Sequence, residues 1–309
     1  MLIEHDTGRN AVWFGVFITP SADAISQLLE NVLSAEETGF DYVSIQDHPY
    51  VSGFLDTFAL LGALIGDTEQ LRLVPNVANL PLRPPAMLAK TSASLDLLSG
   101  GRFELGLGGG RNWPQIAGLG GPTWSPGEVV AAVEETIDVL RALWTPNRSA
   151  HLNGSIFTLR AETGPAPAHD IGIWLGAAGP RMLDLLGRRA DGWIAPLSTG
   201  FETKPAAQDR IDRAAINAGR RPTDIRRVIQ LVGGVTSRPM TTRRPRSGPG
   251  GQAILTTPEM WGEIIAEFVA EERFDAVNIV LQHENAEQIA LFGTEVIPAA
   301  RVAINKALS

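Results

Sequence analysis

Apolar, β-branched segments recur along this chain at a spacing that suits a strand, a helix and two short loops. The first four begin near Val12, Tyr42, Arg72 and Phe103, about thirty residues apart. Four more candidates lie at 171–175, 192–195, 228–232 and 276–281. Segments with apolar residues at helical spacing separate them. Eight strand–helix pairs predict an α/β fold, a (β/α)8 TIM barrel, with an open doubly wound sheet as the alternative.

Three segments interrupt this regular spacing. Residues 111–127 follow the fourth strand and are rich in glycine and proline, and residues 147–170 precede the fifth strand. The second segment contains Asn153-Gly154, which predicts a hairpin turn. The third, 237–251, follows the seventh strand and is rich in arginine. Loops that follow strands lie on the C-terminal face of a barrel, where such enzymes hold their active sites. We treat residues 1–309 as one domain.

Composition narrows the function classes. The 309 residues are 44% hydrophobic, enough for a large core, and there is no cysteine, which excludes disulfides, thiolate nucleophiles and iron–sulfur ligation. A net charge of −8 argues against nucleic-acid binding. No apolar run reaches the roughly 18 residues of a membrane helix, and residues 1–6 lack a signal-peptide pattern. We therefore expect a cytoplasmic protein without membrane or nucleic-acid partners.

The fourth strand runs directly into glycines, at Gly101-Arg102-Phe103-Glu104-Leu105-Gly106-Leu107-Gly108-Gly109-Gly110. Glycines at a strand end let the backbone approach a flat or phosphorylated ligand closely, since no Cβ intervenes. The alternative is a tight turn that needs positive φ. The neighbouring strand ends favour a bound cofactor.

The second strand ends at Asp47-His48, which places two proton-exchanging side chains at a strand tip. An imidazole with an ordinary pKa suits proton delivery at cellular pH, and the carboxylate can fix its tautomer or accept from a ligand N–H. By itself the pair before Pro49 would be an ordinary turn. Its position at a barrel strand tip favours a catalytic function.

The fifth strand ends in small residues that lead into a helix. The backbone N–H groups after Ala178 and Gly179, together with Arg181, are suited to binding a phosphate, although a plain turn has the same pattern. The five histidines show no metal-ligand spacing, so no metal site is predicted. The absence of a Gly-x-Ser-x-Gly motif argues against a serine hydrolase.

Taken together, these motifs resemble the bacterial luciferase-like superfamily of flavin- and deazaflavin-dependent oxidoreductases. The resemblance covers nearly the whole chain, and its most specific parts are Asp47-His48, residues 95–108 and residues 187–193. It implies FMN or coenzyme F420 lying across the barrel mouth, His48 as proton donor, and a bulged third strand over 73–79 with a cis peptide at Asn76-Val77. The implied cofactor-binding residues are Asp47, Asn76, Val77, Asn79, Gly108, Gly109, Gly110, Ala178, Gly179, Arg181 and Met182.

One position departs from the sugar-phosphate dehydrogenases of that superfamily. Arg111 stands where they carry an acidic residue, so that substrate class is disfavoured. Arg111 would bind an anionic substrate or pair with a neighbouring carboxylate, and Trp113 and Trp193 are further candidate substrate contacts. We expect a homodimeric oxidoreductase that transfers a hydride or activates oxygen on a small organic substrate. The alternatives are a non-catalytic flavin carrier and a cofactor-free barrel hydrolase.

Overall fold

Parallel strands close into a barrel whose order follows the chain. The structure, a computed structural model, describes residues 12–146, 148–238 and 253–309. The order around the sheet is β3-β2-β1-β12-β10-β9-β8-β5-β4, with β11 pairing β10. The strands are β1 (Trp13–Ile18), β2 (Tyr42–Ile45), β3 (Arg72–Pro75), β4 (Ala78–Asn79), β5 (Leu105–Gly108), β6 (Ser149–Asn153), β7 (Thr158–Glu162), β8 (Ile173–Gly176), β9 (Gly192–Ile194), β10 (Arg226–Val235), β11 (Ile254–Thr256) and β12 (Ala276–Leu281).

The third barrel strand closes the sheet and is split into β3 and β4. Leu73 exchanges backbone hydrogen bonds with Arg102 (2.8 Å) and Glu104 (3.2 Å), which joins β3 to the start of the fourth barrel strand. Higher up, β4 pairs with β5, with Asn79 opposite Gly108. The Asn76-Val77 peptide between the two pieces is cis, as predicted. The barrel is therefore closed, which confirms the predicted fold and excludes the open sheet.

Helices follow most barrel strands and cover the outside of the sheet. Their starts carry ordinary capping signals: Ser125 and Glu128 form a reciprocal capping box, and Asp56 and Thr257 accept from the first turns of their helices. The helices are α1 (Ile25–Glu37), α2 (Thr57–Leu64), α3 (Pro85–Ser99), α4 (Trp113–Gly118), α5 (Pro126–Trp144), α6 (Pro180–Arg189), α7 (Lys204–Asn217), α8 (Pro258–Ala270), α9 (Ala286–Leu291) and α10 (Ile297–Leu308).

The barrel interior is filled in two layers. The lower layer is apolar and contains Tyr42, Val74, Trp174, Ile194, Val228 and Ala276. Two residues further along three of the same strands, Ser44, Gln230 and Asn278 are also buried, but they are polar and hydrogen-bonded. Because successive side chains alternate between the two faces of a strand, a step of two residues stays inside the barrel. The interior thus changes from apolar to polar toward the C-terminal mouth.

The interruptions of the regular spacing have structures of their own. Residues 111–127 contain the short helix α4, and residues 147–170 contain the antiparallel hairpin β6–β7. The hairpin register pairs Asn153 with Thr158, so four residues connect the strands, rather than the two-residue Asn-Gly turn typical of a tight hairpin. Of the arginine-rich segment 237–251, residues 239–251 lie outside the described residues. Within the described ranges, no helix combines the length and the apolar character needed to cross a bilayer.

Candidate active site

A cleft of about 570 Å³ opens at the C-terminal mouth of the barrel. This volume lies within the roughly 300–1,000 Å³ range of small-molecule sites. The strand ends after β2, β4, β5, β8 and β9 all contribute to it. The residues predicted from the sequence that line it are Asp47, His48, Asn76, Val77, Asn79, Gly108, Gly109, Gly110, Arg111 and Ala178. Segments far apart in the chain are therefore gathered around one opening.

The Asp47 carboxylate is buried and already has three hydrogen-bond donors. The guanidinium of Arg83 donates from Nε to Oδ2 (3.0 Å) and from Nη2 to Oδ1 (2.7 Å), and the Asn79 N–H donates to Oδ2 (2.8 Å). Although burial disfavours its charge, hydrogen bonds to Asp47 and Asp56 raise the pKa of Arg83. Arg83 therefore binds Asp47 through a bidentate contact, the Arg83 fork, that the sequence reasoning did not identify.

His48 lies next to Asp47 and is half-buried. Burial lowers the pKa of His48, and the Asp47 charge only partly opposes this. The ring stacks on Tyr50 with centroids 5.4 Å apart, and among the described residues neither ring nitrogen has a hydrogen-bond partner. The imidazole is therefore neutral near pH 7, and its nitrogens are free for a ligand.

The polar interior layer holds Asn76 at the floor of the cleft. Asn76 Nδ2 donates to Gln230 Oε1 (2.8 Å) and approaches Ser44 Oγ (3.4 Å), while Gln230 Nε2 donates to the Ala195 carbonyl (3.1 Å). Asn278 accepts from the Ser44 hydroxyl at 3.0 Å. This network fixes the side chain that precedes the cis peptide.

Asn79 leaves a polar atom without a partner inside the cleft wall. Its side chain is 6% exposed, and its Oδ1 is a buried acceptor that lacks a hydrogen-bond partner among the described residues. A buried carbonyl oxygen without a donor costs about 1–3 kcal/mol. Asn79 is also one of the residues that line the cleft.

The glycines after β5 are required by protein packing. A Cβ on Gly108 would lie 2.5 Å from a Val77 methyl, and one on Gly109 would lie 2.5 Å from a Val129 methyl. Gly110 has φ of +90°, so the positive-φ turn also holds at this position. The positive φ of the turn alternative is therefore present at Gly110, and close packing requires glycine at Gly108 and Gly109.

The start of α6 lies at one side of the cleft. Ala178 lines the cleft, and Gly179 is the extended N-cap residue of α6, with no side-chain cap for the first turn. Met182 lies beside Gly109, its methyl 3.8 Å from the place a Cβ would take there. Arg181 is exposed and does not line the cleft, nor do Gly179 and Met182.

The family model described as luciferase-like monooxygenase matches residues 12–244. The chain belongs to this family. One relative, 5,10-methylenetetrahydromethanopterin reductase of Methanolobus tindarius, is 30% identical over 212 residues, which is 69% of this chain and 62% of that protein. The chain thus spans less than two thirds of that relative's length.

Solved structures share the fold of this luciferase-like chain at low identity. An F420-dependent secondary alcohol dehydrogenase, in complex with an F420-acetone adduct, has a TM-score of 0.79 and 20% identity and covers 94% of this chain and 99% of its own. A riboflavin lyase with modified FMN and riboflavin also has a TM-score of 0.79, at 15% identity, covering 94% of this chain and 92% of its own. These similarities confirm the predicted barrel.

Two tryptophans predicted as substrate contacts lie elsewhere in this luciferase-like barrel. Trp193 is 1% exposed, stacks on Phe274, and donates from Nε1 to the Ala177 carbonyl (2.9 Å), so its side chain belongs to the core. Trp113 begins α4 and packs edge-on against Trp124. Neither lines the cleft. The buried position of Trp193 does not support the predicted substrate contact, because its side chain packs in the core rather than in the cleft.

Several lining residues escaped the sequence reasoning. They are Phe17, Gln46, Tyr50, Gly176, Ile194, Pro196, Leu197, Ser198 and Gln230. Gln230 could have been identified from the sequence, because it is the one polar residue in the apolar run 228–232. Gln46 precedes Asp47 at the same strand tip. Among the described residues, no three His, Asp or Glu side chains form a candidate metal site.

Proposed function

We propose that this chain is an oxidoreductase that binds a flavin-type cofactor, FMN or coenzyme F420, in the cleft. It would transfer a hydride or activate oxygen on a small organic substrate. The observation that carries the proposal is the convergence of Asp47-His48, the cis Asn76-Val77 peptide and Gly108–Gly110 on one opening. The family match and the cofactors bound in similar solved structures, an F420-acetone adduct and a modified FMN, support it.

The residues present fit such a cofactor. The buried Asn79 Oδ1 lacks a donor, and a planar heterocycle with ring N–H groups would supply one. Val77 packs between Gly108 and Gly176, because a Cβ on either glycine would approach its methyl groups within 3.2 Å. Gly108, Gly176 and Val77 therefore form a low wall without projecting polar side chains. When bound, the cofactor would supply the redox chemistry.

His48 is the proton-handling residue of the proposal. Its half-buried ring has a lowered pKa and nitrogens without protein partners, so it is ready to exchange a proton with the substrate or ligand atom it faces. Asp47 would contribute by holding the cleft wall rather than as a proton carrier, since Arg83 and the Asn79 N–H already occupy its oxygens. The catalytic assignment of Asp47 is thereby reduced to an electrostatic and positioning role.

The phosphate of the cofactor would bind at the start of α6. Gly179 and the first turn present backbone N–H groups that have no intrahelical partner, and the helix dipole favours an anion there. Arg181 is exposed beside this turn and would add a charged contact. Ala178 links this end of α6 to the cleft.

The substrate would carry an anionic group. Arg111 lies on the cleft and is exposed, and among the described residues it has no ion-pair partner. The other cation near this wall, Arg83, is bound by Asp47 and Asp56. Of the two functions considered for Arg111, binding an anionic substrate is therefore favoured over pairing with a neighbouring carboxylate.

We further propose that the protein is a cytoplasmic homodimer without nucleic-acid partners. Met87 and Leu98 on α3 are 60% and 73% exposed, and the proposed dimer would cover these apolar side chains with a second copy of the chain. Light scattering on the purified protein measures the oligomeric state. A mass equal to one chain across a wide concentration range would contradict the dimer.

Paired titration with FMN and coenzyme F420 tests the function. The cofactor fluorescence should be quenched by one of them, with saturable binding, and the loaded protein should then oxidise or reduce a small anionic substrate. Binding without turnover on any substrate tested would favour a flavin carrier. Binding of neither cofactor, with ester cleavage in their absence, would overturn the proposal in favour of a barrel hydrolase.

A further inference from the structure

Arg83 lies outside the cleft lining but contacts two segments that shape the cleft. It follows the short turn Leu80–Leu82 after β4, and its guanidinium carbon lies 4.7 Å from the centroid of the Phe58 ring. Besides its fork on Asp47, its Nη2 contacts Asp56 Oδ2 at 2.5 Å. Asp56 in turn caps α2 by accepting from the Ala59 N–H (2.9 Å). One side chain thus ties the end of β2 to the start of α2.

Asp47 transmits this contact to the cleft wall. Its Oδ2 accepts both Arg83 Nε and the backbone N–H of Asn79. On its other side, the Asn79 backbone pairs with Gly108 through the β4–β5 ladder. The Asn79 backbone is therefore held from both sides, at the point where its side chain, with the buried and unpartnered Oδ1, leaves the strand.

The positive charge of Arg83 also affects the environment of His48. Asp47 is 1% exposed and directly precedes His48, so an unbalanced carboxylate there would favour the imidazolium. Arg83 supplies the opposite charge in a bidentate geometry that lysine cannot reproduce. The other titratable groups lining this part of the cleft are Tyr50, stacked on His48, and Arg111.

We propose that Arg83 is a positioning residue of the candidate active site: its fork on Asp47 fixes the Asn79 backbone in the cleft wall and balances the negative charge beside His48. This inference deepens the proposed function and rests on it only for the identity of the ligand. It assigns Asp47 to a structural couple with Arg83, in place of the direct cofactor contact expected from the sequence.

Three variants separate the two effects. Arg83→Met removes the charge and the fork, Arg83→Lys keeps the charge but offers no planar fork, and Asp56→Asn keeps the α2 cap and removes only the outer partner. Two measurements use the cofactor-free protein: the titration of the His48 ring by NMR, assigned with His48→Gln, and amide hydrogen exchange at Asn79. A third measures the dissociation constant for whichever cofactor binds.

For Arg83→Met we expect the His48 pKa to rise by about half a unit or more, exchange at Asn79 to accelerate, and cofactor affinity to fall on the order of tenfold. Arg83→Lys should keep the His48 pKa near the wild-type value while still weakening Asn79 protection and cofactor affinity. Asp56→Asn should leave the His48 pKa near its wild-type value, and the Asn79 exchange rate and the cofactor dissociation constant should stay within about twofold of wild type.

The proposal is overturned if Arg83→Met folds and leaves the His48 titration and Asn79 exchange unchanged. Should that variant not fold, Arg83→Lys decides, because unchanged Asn79 exchange in it contradicts the positioning role. A wild-type protein that binds neither FMN nor F420 would count against the proposed function alone. The His48 titration and the Asn79 amide exchange would still test the positioning role of Arg83.

Discussion

Each end of the barrel holds a half-buried histidine near a buried carboxylate, and the two rings have opposite properties. At the C-terminal mouth, burial lowers the pKa of His48. At the N-terminal end, burial also opposes the charged ring of His169, but hydrogen bonds to Asp96 and Glu104 outweigh it and raise the pKa to about 9. His169 Nδ1 lies 2.7 Å from Asp96 Oδ1 and Nε2 lies 3.4 Å from Glu104 Oε1.

The two carboxylates, Asp47 and Asp96, differ in the donors from which their oxygens accept hydrogen bonds. Asp47 directs them to Arg83 and a backbone N–H, so His48 gains proximity to charge but no hydrogen bond. Asp96 directs them to the His169 ring and to the N–H groups of residues 168 and 169. The lower end therefore saturates its polar groups and contributes stability, whereas the mouth keeps donors and acceptors available for a ligand.

The sharpest test of this contrast is His48→Ala. Because the ring has no hydrogen bonds to described residues, the variant should unfold close to the wild-type temperature. Turnover by the loaded protein should fall by about 10²–10⁴-fold, the usual contribution of a positioned acid or base. Steady-state kinetics and a thermal scan on the same preparation measure both.

Tyr50→Phe is the matched control, since it keeps the ring stacked on His48 and removes only the hydroxyl that accepts from Asn112. Its turnover should stay within a few-fold of wild type. An unchanged rate in His48→Ala would mean that another group handles the proton, or that the protein is a carrier.

At the opposite end, Asp96→Ala should cost stability and spare the cleft. The substitution leaves the His169 ring and two backbone N–H groups without their acceptor, for an expected loss of about 3–5 kcal/mol in the free energy of unfolding. Urea unfolding measures the loss, and cofactor affinity should change less than about twofold.

Glu134→Ala is its control, because the Glu134–Arg188 pair is exposed and separated by 3.4 Å. Removing such a surface pair should change the free energy of unfolding by less than about 1 kcal/mol. If Asp96→Ala and Glu134→Ala lower the free energy of unfolding equally, the buried cluster contributes no more to stability than an exposed ion pair.

The same cluster predicts a pH dependence. The pKa of His169 is raised above its unfolded value of 6.5 to about 9, so the folded state binds more protons between these values. The resulting stabilisation is fully present below pH 6.5 and is lost as the pH rises toward 9, by on the order of 2 kcal/mol after allowance for partial exposure. Urea unfolding at pH 6 and pH 9 in wild type and His169→Gln measures this loss. An equal change in the free energy of unfolding between the two pH values in both proteins would contradict it.

The sequence predicted the barrel because its strand–helix spacing and apolar patterns are local signals that the closed sheet satisfies. It predicted the cleft through residues at strand tips, since a closed barrel brings those tips together. Parts of the two longer family motifs stabilise the fold and do not line the cleft. Arg102, within the most family-specific run, donates to the carbonyls of Thr68 (2.9 Å) and Leu71 (2.7 Å) at the opposite end from the cleft. Trp193 lies in the core.

Arg83 shows the complementary failure. It sits in a proline-rich turn where nothing local marks it, and it becomes important only because folding brings it against Asp47 and Asp56, which are 36 and 27 residues away in sequence. Pairings of that range depend on the folded path of the chain, which a spacing pattern does not contain. Strand-tip residues are predictable for the opposite reason, since every parallel strand ends on the same face.

The smallest expected effects come from alanine substitutions of two glycines at the mouth, Gly179 at the start of α6 and Gly109 after β5. Gly179 has φ of −73°, and a Cβ there meets nothing within 4 Å, so in Gly179→Ala the lost chain entropy of the unfolded state and the poorer N-cap propensity of alanine oppose each other, and the stability should change by less than about 1 kcal/mol. Gly109→Ala should destabilise it by about 1–3 kcal/mol, because the new Cβ would lie 2.5 Å from a Val129 methyl. Thermal unfolding compares them. If the start of α6 binds the cofactor phosphate through its bare backbone, Gly179→Ala should still weaken cofactor binding severalfold despite its unaltered stability, whereas unchanged affinity would place the phosphate elsewhere.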